Sequence, residues 1–474
     1  MTLESQIQLS TLAVPKPLID ELKAHLTITN PAFVKAAQLQ LFKLPPKSLY
    51  YYVIKNNTMT IPIGVGGYLL KLLDKYSLEY NIVENRSDHP LDIDYTTNFE
   101  LRDYQQHAVS AFSGRTVGTL VSPTGSGKTM IIIELIKEVS QRSLVLVTTI
   151  ELANQFRNRL IASTNLTKED IGFIGSGVYD IKPVTVGILQ SVRKMNDAKV
   201  QEINNYFGAI YFDEVHQVPA HTYCETMSRL SMKYKLGFSA TLERGDGLMP
   251  VIFFVTGPIF TTVAVEDVGT HRLKPTVSFL ETSFTFPYLN IEDYVYLIND
   301  LAIDEVRNKL IVDTYKGMEN YADHQTIFLC ARISQTFKLW DILGRTGGVL
   351  ISGASEDNLT CSKEDLKLYR KFATKKSRIE TIKKLETGEL NHVFSTPGLF
   401  ATGIDLPNLE WLFICGPLKS KILLPQACGR LVRPRKDDVE KKPQVICLID
   451  KDVEVLRNSS YTTKRTLLKL CDKP

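Results

Sequence analysis

The chain has 474 residues, of which 44% are hydrophobic and 23% are charged. This balance is ordinary for a globular protein, and it excludes a disordered chain, a collagen-like chain and a small disulfide-bonded scaffold. The formal net charge is only +4, from 56 Lys and Arg against 52 Asp and Glu, so any surface that binds nucleic acid has to be local. The length predicts roughly three domains of about 150 residues each.

Cysteine usage and hydropathy indicate the compartment. The cysteines are odd in number and contain no C-x-x-C pair, which is typical of buried free thiols in a reducing environment rather than of disulfides or a metal site. The N-terminal sequence lacks a basic segment followed by an apolar one, and the apolar runs are far shorter than a membrane span. We therefore expect a soluble, cytoplasmic protein without a membrane partner. The seven cysteines are Cys224, Cys330, Cys361, Cys415, Cys428, Cys447 and Cys471.

Residues 1–95 alternate helical and strand-like patterns and predict a small α+β domain. Turn or helix-start signals occur at Asn30-Pro31 and Pro45-Pro46. The charges of this block cancel, because 8 Lys and 1 Arg stand against 9 Asp and Glu. That count argues against tight, purely electrostatic binding of nucleic acid by this block.

Repeated strand, loop and helix units follow in residues 96–270. Continuous apolar runs, often β-branched, occur at 117–121, 144–148, 184–188, 209–212 and 236–239. Such runs are typical of strands covered on both faces, and so of a parallel α/β sheet. After a β-rich connector at 271–300, the rhythm resumes at 326–330, 348–352, 392–395, 412–415 and 444–449. The prediction is an α/β fold with two tandem parallel-sheet domains (96–270 and 271–474) after the small α+β domain.

A glycine-rich segment follows the first apolar run. Residues 122–129 read Ser-Pro-Thr-Gly-Ser-Gly-Lys-Thr and lead into an apolar helix start. This is the strand, loop and helix arrangement that binds nucleotide phosphates. Gly125 and Gly127 allow backbone N–H groups to turn toward phosphate oxygens, and Thr124 and Ser126 complete the predicted loop.

The end of this segment carries the charge and the metal ligand that ATP needs. Lys128 would reach the β- and γ-phosphates, and Thr129 would hold Mg²⁺ through its hydroxyl. The usual pattern begins with glycine, whereas this chain has Ser122. The alternative reading is a chance glycine-rich loop.

Two adjacent carboxylates end the apolar run at 209–212. Asp213 would ligate Mg²⁺ as a hard oxygen ligand, and Glu214 would orient and deprotonate the attacking water. An Asp-Glu pair at a strand end is by itself more often a solvated turn, so its position after a phosphate-binding loop is what gives it weight.

The order of these and further segments resembles the superfamily-2 helicases over residues 100–440. The matching segments are 101–106 (LRDYQQ), 145–155 (VLVTTIELANQ), 187–191 (GILQS), 213–216 (DEVH), 239–241 (SAT), 326–332 (TIFLCAR), 395–407 (STPGLFATGIDLP) and 426–433 (QACGRLVR). The resemblance implies two RecA-like motor domains that use ATP and Mg²⁺.

The resemblance also implies roles around the nucleotide. Gln105 would lie against the adenine base, and Gly403 and Asp405 would join the nucleotide site from the second motor domain. Ser239 and Thr241 would couple hydrolysis to movement.

A further catalytic group would come from the last motif, where the resemblance points to Gln426, Arg430 and Arg433. A planar guanidinium stays ionised and can meet the spreading charge of a phosphoryl transition state with two hydrogen bonds. The two arginines are therefore candidate arginine fingers. Their alternative reading is a surface basic cluster.

Four residues match positions that hold the phosphate backbone of one strand in the resembled family: Thr149, Gln190, Arg332 and Thr396. Hydroxyl and amide groups and helix N-termini make such contacts without reading sequence. Each of the four is as readily explained as a local cap or turn residue.

Shorter segments refine the resemblance. Residues 243–247 (ERGDG) are similar to the segment after the SAT motif in XPB-like DNA helicases, and residues 29–33, 47–51 and 61–64 to the module before the motor in phage UvsW-type helicases. This implies an ATP-dependent DNA helicase or translocase on branched, forked or single-stranded DNA, acting in recombination, repair or replication restart. Residues 1–95 would then recognise the shape of the junction or duplex.

Two other functions remain open from the sequence. An RNA helicase would carry the same motifs. A non-catalytic nucleic-acid-binding module with a degenerate motor is the third reading, although intact Lys128, Asp213 and Glu214 count against it. The sequence identifies no protein partner.

Overall fold

The computed structural model describes residues 1–40, 42–123, 125–215, 220–240, 247–264, 267–268, 273–351, 362–397, 406, 408–418, 423–431 and 441–471. Seven side chains within these ranges are also outside the description, namely those of Lys375, Leu423, Pro425, Gln426, Arg430, Leu470 and Cys471. The chain divides into two units, Met1–Val265 and Glu266–Pro474.

The N-terminal part of the first unit is built on a five-stranded sheet in the order β5-β6-β2-β1-β7. A separate antiparallel pair, β3 and β4, lies on either side of helix α2 in sequence. The strands are β1 Thr2–Leu3, β2 Gln6–Ser10, β3 Thr27–Thr29, β4 Ser48–Tyr50, β5 Val53–Lys55, β6 Thr58–Pro62 and β7 Val83–Glu84. The helices are α1 Lys16–His25, α2 Pro31–Gln38 and α3 Gly66–Lys75, with a 3₁₀ turn at Ile63–Val65.

Alternating burial explains how this sheet covers a core. Along β2, Ile7 and Leu9 are buried while their neighbours are not, as expected for a strand with one face on a core. These side chains pack with Leu22 of α1 and Leu69 of α3.

The remainder of the first unit is an eight-stranded sheet in the order β11-β10-β12-β9-β13-β14-β8-β15. Every neighbouring pair is parallel except β10 and β11. The strands are β8 Val117–Val121, β9 Ser143–Val147, β10 Ile171–Gly175, β11 Val178–Asp180, β12 Val184–Ile188, β13 Ala209–Phe212, β14 Tyr234–Ser239 and β15 Ile259–Thr262. The helices are α4 Asp103–Ser110, α5 Lys128–Val139, α6 Ile150–Ser163, α7 Leu189–Arg193, α8 Asp197–Asn204, α9 Ala220–Met227 and α10 Met249–Thr256.

Parallel pairing brings the loops that follow the strands to one edge of this sheet. The central strands β9 and β13 are buried at every residue, which accounts for their continuous apolar sequence. Their carboxyl ends are in register with those of their neighbours: Val147 of β9 pairs with Ile188 of β12, and Val121 of β8 pairs with Ser239 of β14. Ligand sites of α/β sheets form at this carboxyl edge.

The N-terminal part packs tightly on α10. A Cβ on Gly64 would overlap the backbone of Phe253 and Gly257, and would lie 2.7 Å from the carbonyl oxygen of Phe254. Backbone cannot move aside as a flexible side chain can, so this approach requires glycine.

A buried lysine also links the N-terminal part to the eight-stranded sheet. Lys235 on β14 is fully buried, and its ammonium donates to the carbonyl oxygens of Ser5 (3.1 Å), Met227 (3.3 Å) and Leu230 (2.5 Å). Three acceptors match the three donors of an ammonium group. Burial, and next the charge of Arg86, lower the pKa of Lys235 to about 7.

The second unit contains a six-stranded, wholly parallel sheet in the order β16-β21-β20-β17-β19-β18. The strands are β16 Thr276–Thr282, β17 Gln325–Leu329, β18 Gly348–Leu350, β19 His392–Ser395, β20 Leu409–Ile414 and β21 Gln444–Asp450. The helices are α11 Tyr294–Ile303, α12 Glu305–Lys316, α13 Ile333–Ile342, α14 Lys363–Phe372, α15 Lys375–Glu386, α16 Leu423–Leu431 and α17 Glu454–Cys471. Apolar side chains fill both faces of this sheet.

The predicted fold class, with two parallel-sheet α/β domains of the RecA-like kind, is confirmed. The connector at 271–300 differs from expectation, because β16 within it pairs with β21 along its whole length. As an edge strand, β16 alternates between exposed and less exposed residues, so it lacks the continuous apolar run that marks the inner strands.

Two expectations about cysteines and membranes can be compared with the described residues. Cys330, Cys415, Cys428 and Cys447 are buried, Cys224 is half-buried, and none of these five forms a disulfide. No helix in the described part of the chain is long and apolar enough to cross a membrane.

Candidate active site

The glycine-rich segment forms a tight loop between β8 and α5. Gly125 has φ +87° and Gly127 has φ +78°, backbone conformations that favour glycine. A Cβ on Gly127 would also clash with the amide nitrogen of Gln105. The departure at Ser122 has a structural use, because its buried hydroxyl donates to the hydroxyl of Ser126 across the loop (2.5 Å). Thr124 lies outside the described residues.

Two side chains from α4 hold this loop. The Gln105 amide nitrogen donates to the carbonyl oxygen of Ser126 (2.8 Å), and its amide oxygen accepts from the backbone N–H of Arg102 (3.0 Å). The Tyr104 hydroxyl donates to the same Ser126 oxygen (3.0 Å). Gln105 thus lies beside the phosphate-binding loop, and its contact with adenine stays a prediction. Tyr104 was missed by the sequence reasoning, although it adjoins Gln105 in the LRDYQQ segment.

Lys128 and the two carboxylates lie together. Lys128 Nζ is 3.3 Å from Glu214 Oε1 and donates to the carbonyl oxygen of Ser122 at 3.2 Å. The side chains of Lys128 and Glu214 are only 8% and 17% exposed, so water screens this pair little. Asp213 Oδ1 accepts the backbone N–H of Glu214 (2.9 Å). Glu214 adopts φ +56°, a strained conformation for a non-glycine residue of the kind that concentrates at functional sites.

The electrostatics of this cluster fit a site for a cation. Burial, and next the neighbouring Glu214 carboxylate, raise the pKa of Asp213 to about 7, while Lys128 opposes the rise. Burial and the nearby carboxylate both disfavour a second negative charge at this place, and a bound cation would offset both effects. Mg²⁺ prefers oxygen ligands and is usually held by one or two carboxylates together with phosphates. The residues present, Asp213 and the Thr129 hydroxyl at the start of α5, therefore fit Mg²⁺ bound with ATP.

The SAT motif begins in the strand between the two halves of the site. Ser239 ends β14, which lies between β8 and β13, and its carbonyl oxygen accepts the backbone N–H of Ser122 (2.9 Å). This contact links the motif to the first residue of the phosphate-binding loop. Thr241 and His216 lie outside the described residues.

Two predicted strand-contacting residues lie farther along the same edge. Thr149 follows β9 and caps α6, since its hydroxyl accepts the backbone N–H of Leu152 (3.3 Å). Gln190 follows β12, in the first turn of α7, and is exposed. The capping role predicted as the alternative is therefore present for Thr149. It leaves open whether the same residue contacts a phosphate backbone.

The second unit brings two more of these residues to one edge. Arg332 precedes α13 just after β17, and its guanidinium donates to Asn299 Oδ1 (3.1 Å). Thr396 follows β19, the parallel neighbour of β17. Gly403, Asp405 and Arg433 lie outside the described residues, as do the side chains of Gln426 and Arg430 on α16.

A buried ion pair at this edge was also missed by sequence reasoning. Arg307 of α12 donates to both carboxylate oxygens of Asp450 at the end of β21, at 2.7 and 3.0 Å, and to the carbonyl oxygen of Cys415 at 2.7 Å. Asp450 also accepts the Thr282 hydroxyl (2.6 Å). Arg307 is one arginine in an ordinary amphipathic helix, and no local pattern distinguishes it.

Comparison with known proteins shows what the chain is similar to. The family model described as "Type III restriction enzyme, res subunit" matches residues 98–244. A DNA 3'-5' translocase XPB2 of Sulfurisphaera tokodaii is 26% identical over 71% of this chain and 79% of that protein. A DNA 3'-5' helicase XPB of Mycobacterium tuberculosis is 33% identical over 74% of this chain and 60% of that protein, so the chain spans less than two thirds of its length. The chain is thus similar to XPB DNA helicases and translocases over 71–74% of its length.

Solved structures bear on the fold of this chain. The structure of S. cerevisiae Dbp5 bound to RNA and ADP BeF3 aligns with 78% of this chain and 87% of that one, at TM-score 0.54 and 14% identity. T4 UvsW aligns with 96% of this chain and 94% of that one, at TM-score 0.41 and 17% identity. The first likeness supports the fold alone, and the second score is too low to argue from.

Proposed function

We propose that this chain is an XPB-like helicase, an ATP-driven DNA motor that acts on forked and branched DNA. The observation that carries the proposal is the order of candidate residues along one sheet edge. The candidate residues for binding the nucleotide follow β8, β14 and β13. The candidate residues for contacting the DNA strand follow the neighbouring β-strands, β9 and β12. A change at the bound nucleotide would then lie one β-strand away from the residues that contact the DNA backbone.

Hydrolysis is assigned to groups in the first α/β sheet. When bound with ATP at Thr129 and Asp213, Mg²⁺ neutralises charge that develops on the phosphate oxygens. Lys128 adds a fixed positive charge at the β- and γ-phosphates. Glu214 orients the attacking water and accepts its proton.

The Lys128–Glu214 pair gives these two groups a linked role. An arriving triphosphate carries more charge than one carboxylate and competes with Glu214 for the ammonium of Lys128. Once Lys128 turns to phosphate, the Glu214 carboxylate loses its cation and becomes a stronger base. The ion pair of 3.3 Å thus keeps the base weak until the substrate is bound.

The second unit is assigned the remaining roles. Arg430 and Arg433 stabilise the transition-state charge, and Gln426, Gly403 and Asp405 complete the nucleotide site. Arg332 and Thr396, which follow neighbouring strands, contact the backbone of the tracked strand. These assignments rest on the matching motifs.

The energetics of duplex DNA give ATP a purpose. Opening a duplex costs about 1.4 kcal/mol per base-pair step, so sustained unwinding requires a fuel. Branch migration through matched sequence exchanges equal pairs, and there ATP supplies direction. The names of the two XPB relatives, a DNA translocase and a DNA helicase, support DNA as the substrate.

A panel of substrates tests the proposal. The full chain is incubated with forked DNA, a four-way DNA junction, a blunt DNA duplex and an RNA duplex, each with ATP and Mg²⁺. We expect ATP-dependent products from the fork and the junction, and at most weak activity on the blunt duplex. Products from the RNA duplex alone would overturn the proposal in favour of an RNA helicase.

A further inference from the structure

The neutral charge count of residues 1–95 conceals a separation of charge along the chain. No acidic residue occurs between Glu21 and Asp74, and the 9 acidic residues all lie in 1–21 or 74–94. Six lysines lie in the acid-free stretch: Lys23, Lys35, Lys43, Lys47, Lys55 and Lys71. This part of the chain is therefore locally basic, which the total hides.

Within that stretch, the segment that contains α2 begins and ends close to Asn30. Asn30 caps α2 by accepting the backbone N–H of Ala32 (3.0 Å), and its amide donates to the carbonyl oxygen of Pro46 (2.8 Å). The backbone N–H of Asn30 also donates to the carbonyl oxygen of Lys47 (2.9 Å). The segment after α2 thus returns to the beginning of the same helix.

The segment at residues 39–46 is long enough to project away from α2 before it returns. A helix of eight residues, such as α2, is about 12 Å long, whereas eight extended residues can span roughly 28 Å. Residues 39–46 therefore have more chain than the return requires. We call residues 39–47 the tongue; Leu41 within it lies outside the described residues.

The tongue exposes apolar side chains that a folded domain normally covers. Phe42 is fully exposed (107%), and Leu39, Leu44 and the nearby Val34 of α2 are 52%, 47% and 40% exposed. None of these four belongs to the apolar core of the N-terminal part. An exposed phenylalanine has a free ring face available for stacking.

Exposed lysines lie close to Phe42 in the sequence. Lys43 and Lys47 belong to the tongue, Lys35 lies on α2, and all three are exposed. Within the described residues, none of the three forms an ion pair with a carboxylate. Their charges are therefore available to a polyanion.

We propose that the tongue binds DNA at the point where the strands separate. Phe42 stacks on an unpaired or terminal base, while Lys35, Lys43 and Lys47 contact the flanking phosphates. This rests on the proposed function and adds the residues with which the N-terminal part recognises branched DNA.

The combination of ring and lysines favours DNA over a protein partner. Protein interfaces are depleted in lysine, whereas surfaces that hold unpaired strands combine aromatic rings with positive charge. Proteins that kink or open a duplex also insert apolar side chains between bases. The tight packing of Gly64 on α10 would hold this surface at a fixed place relative to the first α/β sheet.

The test compares Phe42→Ala and Phe42→Trp with wild type in the full chain. Leu12→Ala is the matched control, because Leu12 is 79% exposed in the same part of the chain but lies outside the tongue. The Kd for forked DNA is measured without nucleotide, and ATP-dependent unwinding of the same fork is measured alongside it. Melting temperatures verify that the exposed substitutions leave the fold intact.

We expect Phe42→Ala to weaken binding of the fork about tenfold and to slow unwinding, while Phe42→Trp and Leu12→Ala behave as wild type. ATPase activity with single-stranded DNA should stay at the wild-type level in Leu12→Ala. Replacement of Lys43 and Lys47 by Gln should reduce the salt dependence of fork binding by about two ionic contacts, whereas Lys16→Gln should not.

The outcomes separate the two proposals. A wild-type chain that unwinds forks, with Phe42→Ala equal to wild type in binding and unwinding, overturns the role of the tongue in DNA binding and leaves the surface to a protein partner. A wild-type chain that hydrolyses ATP but unwinds no DNA overturns the proposed function itself.

Discussion

Lys128 Nζ lies 3.3 Å from Glu214 Oε1, across the end of the intervening strand β14. The lysine predicted to bind phosphate and the carboxylate predicted to activate water are therefore each other's partners in this structure. The pair is mostly buried, so its two charges depend strongly on one another. Under the proposed function, this relationship would connect ATP binding with the strength of the proposed base.

The first prediction concerns Glu214→Gln. The amide keeps the size of the side chain but cannot accept a proton from water, so kcat for ATP hydrolysis should fall by a factor on the order of 10²–10⁴. Affinity for ATP should be unchanged or higher, because Lys128 no longer has a carboxylate to leave. Steady-state ATPase assays and titration with a fluorescent ATP analogue measure the two effects.

Glu225→Gln is a suitable control for that experiment. Glu225 is an exposed acid in the same unit that pairs with Arg193 at 2.9 Å, and an exposed pair of this kind contributes little. Its ATPase activity should equal wild type. Retention of full activity by Glu214→Gln would show that another group is the base.

The second prediction concerns the packing of the N-terminal part on α10. Gly64→Ala should loosen this contact, because its Cβ would overlap the backbone of Phe253 and Gly257. Hydrogen exchange followed by mass spectrometry should show faster exchange in β6, α3 and α10. Gly67→Ala is the control, since no atom lies within 4 Å of a Cβ there, and alanine should stabilise α3 by up to about 1 kcal/mol. Equal exchange in the two variants would disprove the close contact.

The third prediction concerns the buried pair of the second unit. Asp450→Asn leaves Arg307, which is 1% exposed, without a charge partner and should lower the free energy of unfolding of this unit by about 3–5 kcal/mol. Glu281→Gln is the control, because its pair with Lys451 has side chains 64% and 48% exposed and should contribute little to stability.

Tryptophan fluorescence makes this measurement specific. The chain has 2 tryptophans, Trp340 and Trp411, and both lie in the second unit. Urea unfolding followed at their emission therefore reports the unit that contains the pair. Similar midpoints for Asp450→Asn and Glu281→Gln would contradict the prediction.

The fourth prediction concerns pH and Lys235. Its pKa is about 7 in the folded chain, against about 10.4 for an unfolded lysine. At a pH between these two pKa values, the unfolded chain binds a proton at Lys235 that the folded chain has lost. The contribution of Lys235 therefore makes the free energy of unfolding rise with pH, by at most about 1.4 kcal/mol per pH unit. Below pH 7 both states are protonated, and the full cost of burying the charge is present.

Urea unfolding of the first unit by circular dichroism at pH 6.5, 8 and 9 measures this dependence. The difference in stability between wild type and Lys235→Met should shift in favour of wild type as the pH rises. Lys71→Met, at an exposed position, should show no such trend. A constant difference between Lys235→Met and wild type across this range would show that Lys235 does not titrate there.

The sequence predicted what depends on local pattern. The continuous run at 117–121 is β8 itself, and the glycines at 125 and 127 adopt the positive φ that a phosphate-binding loop requires. Burial on both faces produces a continuous apolar run in the sequence, and a tight turn with positive φ favours glycine.

Contacts between distant residues left no such record. Arg307 and Asp450 are 143 positions apart, and Lys235 and Ser5 are 230 apart. Neither pair differs locally from exposed residues of the same type. The neutral total of residues 1–95 also omits position, because a sum cannot show that all acidic residues lie on either side of the tongue.

The ATP-driven motor is best tested by the unwinding of a forked DNA by wild type and by Glu214→Gln, in the presence and absence of ATP. We expect wild type to separate the fork only with ATP, and Glu214→Gln to bind the same fork but leave it intact. Strand separation by Glu214→Gln at the wild-type rate, or by wild type without ATP, would contradict this expectation.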